Sequence, residues 1–103
     1  MSLQDLIDAL READPDAVLR RGFRHPHSYR GHYERLAFEP AGNVPVREML
    51  RDAESALGQT FEGYKGGDFK MGPYTSVYLA EYGCCGEELG PLLLSHMLAD
   101  VTR

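Results

Sequence analysis

The sequence has no tryptophan, two cysteines and two lysines. The cysteines, Cys84 and Cys85, are neighbours. A vicinal disulfide would strain its own peptide unit and close almost no loop. Adjacent thiols also lack the two-residue spacing of a zinc knuckle or a redox motif, so they read as two small half-buried side chains in a reducing compartment. No apolar run is long enough to cross a bilayer, since Leu92-Leu93-Leu94 breaks at Ser95 and His96. The start of the chain, Met1-Ser2-Leu3-Gln4-Asp5, has no basic stretch leading into an apolar one. The expectation is therefore no secretory signal, a cytoplasmic address and no membrane partner. Positive charge is scarce: the formal net charge is −5, which excludes the broad positive field of a general nucleic-acid binder. The 11 glycines and 6 prolines are too few and too aperiodic for a fibre.

What is present fits one globular domain over residues 1–103. The 43% apolar content supplies a core, and the length is sufficient to bury it without disulfides. Ser2, with Asp5 three residues later, is a capping-box start for a helix carrying Leu3, Leu6, Ile7 and Leu10 on one stripe. Asp14-Pro15-Asp16 stops it. A second helix begins near Pro45, repeats the stripe through Val46, Met49, Leu50, Ala53 and Leu57, and ends at Gly58. A third starts at Gly90-Pro91 and runs to about Val101, with Leu94, Met97, Leu98 and Val101 on one face. Between the helices, Val18 to Phe23 and Tyr33 to Glu39 read as strands separated by a loop at His25-Pro26-His27-Ser28. Thr75 to Tyr82 reads as a central strand, apolar on both faces. Phe61 to Met71 reads as a hairpin turning at Gly66-Gly67. The expected fold is α+β: a small, mainly antiparallel sheet with about three helices packed on it.

The charge is sharply segregated. Residues 20–35 hold Arg20, Arg21, Arg24, Arg30 and Arg35 with one acid, Glu34, so this window is +4 and the rest of the chain −9. His25, His27 and His32 lie in the same window. Arginine forks match phosphate and carboxylate oxygens, histidine donates to the same oxygens, and Tyr29 offers a face for stacking a base. Ser28 adds a hydroxyl. A second window, Gly63-Tyr64-Lys65-Gly66-Gly67-Asp68-Phe69-Lys70, holds both lysines of the chain. Its paired glycines free backbone N–H groups to face an anion, although its spacing is not that of a Walker loop. The competing reading is arginines paired with acids elsewhere and an ordinary Gly-Gly turn with solubilising lysines. A metal site on His25 and His27 matches no common zinc spacing, and catalysis by these histidines or by Ser28 lacks the expected partners. No catalytic residue, metal or cofactor is therefore assigned. His96, in the leucine-rich third helix, reads as a core or interface histidine.

The segments His25-Pro26-His27-Ser28-Tyr29-Arg30-Gly31, Leu36-Ala37-Phe38-Glu39-Pro40 and Tyr64-Lys65-Gly66-Gly67, followed by Met71, are carried in an order that resembles a family of small accessory proteins of tailed bacteriophages and prophages. The resemblance covers about Gly22 to Leu94. It implies a setting, the cytoplasm of an infected bacterium, and not a chemistry. Accessory proteins of this size include sponges for cyclic-nucleotide or ADP-ribose immune signals, an analogy of context that carries over no residue. The expectation is a homo-oligomeric, non-enzymatic binder of a small nucleotide-like anion. Its ligand-binding residues would be Arg24, His25, His27, Ser28, Tyr29, Arg30, Tyr64, Lys65, Gly66 and Gly67. The alternative is an inhibitor that docks on a host protein through acidic helix faces: Asp5, Asp8, Glu12, Asp14 and Asp16, with Glu48, Asp52 and Glu54.

Overall fold

The computed structural model describes residues 1–29, 32–62, 68–81 and 84–101, with backbone alone at 28–29, 32–34, 61–62, 68–69, 81 and 84–85. The elements run α1 (Leu3–Glu12), β1 (Val18–Leu19), β2 (Gly22–Tyr29), β3 (His32–Ala41), β4 (Val44–Pro45), α2 (Val46–Ala56), β5 (Thr60–Glu62), β6 (Asp68–Lys70), β7 (Ser76–Glu81), β8 (Cys84–Glu88) and α3 (Pro91–Ala99). A four-stranded sheet in the order β2-β3-β7-β8 is flanked by two small ribbons, β1-β4 and β5-β6. The fold is α+β.

The helices follow from their stripes and caps. Ser2 Oγ accepts from the Asp5 amide and the Asp5 carboxylate accepts from the Ser2 amide, the reciprocal box that starts α1. Leu3, Leu6, Ile7 and Leu10 are buried. On α2 the buried set is Val46, Met49, Ala53 and Ala56. Leu57, expected on that stripe, lies beyond the helix and is 38% exposed, because the chain turns away at Gly58, whose φ is +80°. Arg11 Nη2 donates to Glu54 Oε2 at 2.8 Å, tying α1 to α2. This hydrogen bond holds the Arg11 pKa above its ordinary value.

Within the sheet, β2 and β3 pair antiparallel, β3 and β7 parallel, and β7 and β8 antiparallel. The parallel pair requires a long crossover, and β4, α2 and the β5-β6 ribbon supply it. Phe23 and Phe38 meet in the core at a centroid distance of 4.6 Å, and Leu36, Val77, Met71 and Leu89 are fully buried around them. At Gly22 the backbone of β2 comes so close to β4 and α2 that an added Cβ would lie 3.0 Å from Val44 Cβ and 3.1 Å from Met49 Sδ.

Two strand expectations are corrected. The run Val18 to Phe23 is not one strand: it bends at Arg20–Arg21, because Leu19 pairs with Val44 and Val101 whereas Gly22 onward pairs with β3. The segment His25–Ser28 is not a loop. It is the body of β2, accommodated by a register shift between Arg24 and Pro26 where His25 takes a positive φ of 52°. Proline is tolerated here because β2 is an edge strand.

Candidate functional site

The first expected window is built on β2. Arg24 pairs across to Glu39 in the sheet register, yet its guanidinium meets α2: Nη2 lies 4.0 Å from Glu48 Oε1 and Nε 3.9 Å from Asp52 Oδ2. These separations exceed those of a charge-assisted hydrogen bond, and Nε is buried without a hydrogen-bond partner. Asp52 also accepts from the His25 amide at 3.4 Å. Arg24 thus links the edge strand to the helix beside it. His27 Nε2 lies 3.2 Å from Glu39 Oε1. In the register, His27 faces Ala37, Ala37 faces Tyr78 and Tyr78 faces Glu88, one row across all four strands. Two residues before Ala37 on β3, the Arg35 guanidinium sits 5.0 Å from the Tyr78 ring centroid.

The remaining predicted residues are described only in part. Ser28 and Tyr29 lie in β2, where only their backbone is described. Arg30, Tyr64, Lys65, Gly66 and Gly67 lie outside the described residues. The hairpin expectation stands for the arms: Thr60 pairs with Lys70 and Phe61 with Phe69. One of these arms, β5, packs beside β2, the strand holding His25 and His27. His96 is exposed on α3, which corrects the core part of its reading. Among the described residues, no group of three or more His, Cys, Asp or Glu side chains could hold a metal ion. None of the described helices is long and apolar enough to cross a membrane.

Comparison with protein-family models, curated proteins and solved structures finds no match for the chain.

Ion pairing sorts the arginines. Arg11, Arg20, Arg24, Arg47 and Arg51 each have a carboxylate within reach. Arg35 stacks on Tyr78. Arg21, which is exposed, has no ion pair among the described residues. It also borders an open cavity of about 450 Å³ between α3 and the end of the sheet, with Arg20 beside it and Pro40, Leu79, Leu93 and Met97 on the walls. The volume falls in the range of small-molecule sites. Arg20 is held at its backbone, where its amide donates to the Asp100 carbonyl at 3.0 Å, and loosely at its side chain, where Nε lies 3.7 Å from Asp100 Oδ1.

Arg20 and Arg21 belong to the positive window but not to the expected ligand-binding residues, and the apolar wall beside them has no counterpart in that expectation. One available signal was the apolar excess of α3: Leu92 and Leu93 lie off the expected stripe, so the helix has more leucine than one buried face requires.

Proposed function

We propose that this protein binds a small organic anion, nucleotide-like in size, and releases it unchanged. One observation carries the reading. Arg21 is exposed and free of ion pairs among the described residues, and it borders a cavity of about 450 Å³. Arg24 and His27, by contrast, both lie beside carboxylates. An arginine already paired gains little from an incoming anion, because a carboxylate must first be displaced, whereas an unpaired guanidinium can form its full fork. Arg20 joins it at small cost, since its pair with Asp100 is long and solvent-exposed. In a phage setting, such a binder sequesters a signalling molecule of the host's defence. The alternative, an acidic mimic surface, is weakened because Glu48, Asp52, Glu54 and Asp16 already have arginine partners.

The test is a mass spectrum of whatever leaves the purified protein on heating. Calorimetry follows with cyclic di- and trinucleotides, cyclic ADP-ribose isomers, mononucleotides and simple organic acids. The expected result is one small acid bound per chain, recovered intact, that raises the melting temperature. No released acid, no heat and an unchanged melting temperature across the panel would refute the reading.

A further inference from the structure

The walls of the cavity say more about its occupant than the charges at its edge. Apart from Arg20 and Arg21, the lining side chains belong to Pro40, Leu79, Leu93, Met97 and an alanine, with glycines completing it. None of these side chains offers a hydrogen-bond donor, and only the thioether of Met97 is even a weak acceptor, so the polar groups of the wall are confined to backbone N–H and C=O groups, those of the lining glycines among them. A nucleobase carries several donors and acceptors around its edge. Each one brought against such a wall without a partner loses about 5- to 150-fold in affinity. A saturated chain has no such groups, and it gains from every methylene it hides. α3 reinforces the apolar side of the balance, because Leu93 faces this cavity while Leu92 nearby is 74% exposed.

Resting on the reading that the cavity takes an anion, we infer that its occupant is a free medium-chain carboxylate, with the acyl chain along Leu79, Leu93 and Met97 and the carboxylate against Arg21. A single carboxylate needs one bidentate partner, and of the two arginines at this cavity Arg21 is the one with no acid to displace among the described residues. A volume of about 450 Å³ leaves room for one such chain.

The test is calorimetry of the whole protein with hexanoate, octanoate and decanoate below their micellar concentrations, with decanol and adenosine monophosphate as comparisons. The expected result is one site per chain whose Kd tightens about fourfold for each added methylene, the factor that corresponds to about 0.8 kcal/mol. Decanol should bind more weakly than decanoate. Arg21→Gln, a change at an exposed position with no ion pair among the described residues, should leave the melting curve in place and weaken decanoate by about 10-fold or more. A flat chain-length series overturns the inference, as does binding at several sites per chain that ignores Arg21→Gln. If adenosine monophosphate binds more tightly than decanoate and depends on Arg21, the acyl assignment fails while the anion-binding reading survives. If no anion binds, both fail.

Discussion

Three glycines separate steric from conformational control of this fold. An Ala Cβ at Gly22 would sit 3.0 Å from Val44 Cβ, 3.2 Å from Val44 Cγ2 and 3.1 Å from Met49 Sδ. The methionine sulfur is the end of a flexible chain and can give way. Val44 Cβ cannot, because it is a branch point on β4, fixed by the Leu19–Val44 pairing. Overpacking of this kind costs about 1–3 kcal/mol. Replacing glycine by alanine at an ordinary φ returns about 0.4–1 kcal/mol by restricting the unfolded chain. Gly22→Ala should therefore destabilise by roughly 0–2.6 kcal/mol, and the middle of that range, roughly 1.3 kcal/mol, is a fall in Tm of roughly 5–10 °C for a domain of this size. At Gly58 nothing lies within 4 Å of an added Cβ, yet φ is +80°. Gly58→Ala should cost about 1–2 kcal/mol through backbone strain alone. Gly72 has open space and no positive φ, so Gly72→Ala should be neutral or slightly stabilising. Urea and thermal melts of the three variants check the order. A Gly22→Ala protein more stable than the parent, or a Gly72→Ala protein less stable than Gly58→Ala, would refute the reasoning.

The link between β2 and α2 should be modest: a double-mutant cycle on Arg24→Met and Asp52→Asn is expected to give a coupling of about 0.2–1 kcal/mol that shrinks as salt is added, since the pair is partly exposed and 3.9 Å apart. A coupling well above that range would mean a far drier contact than the structure has. On the binding side, Arg24→Met should leave anion affinity unchanged while Arg21→Gln weakens it, and the reverse order in calorimetry would return the site to β2. Phe38→Ala, which removes the ring packed 4.6 Å from Phe23 in the core, should destabilise by about 3–5 kcal/mol and shift the urea midpoint sharply downward.

The helices were written in the sequence because each is a local object. A capping box at Ser2, Gly90-Pro91 before α3 and apolar residues at helical spacing need no knowledge of distant residues. The strand at Thr75 to Tyr82 was legible for a related reason: a segment apolar on both faces must lie inside a sheet, and β7 does, between β3 and β8. The His25–Ser28 segment of β2 reads as a loop in the sequence because its proline and two histidines look like turn residues. Only pairing with β3 and a shift in register at His25 make it a strand.

The charge window shows where local reading stops. The sequence determined that five arginines fall between residues 20 and 35. It could not determine which of them meet acids, because Glu48 and Asp52 are about a helical turn apart on α2, and it is the crossover between β3 and β7 that lays this helix against β2. Tertiary packing thus set Arg24 beside two carboxylates and left Arg21 without an ion pair among the described residues, at an apolar cavity whose walls come from the far end of β3, from β7 and from α3. Residues that distant in sequence share a site only because a sheet and a helix have been packed together.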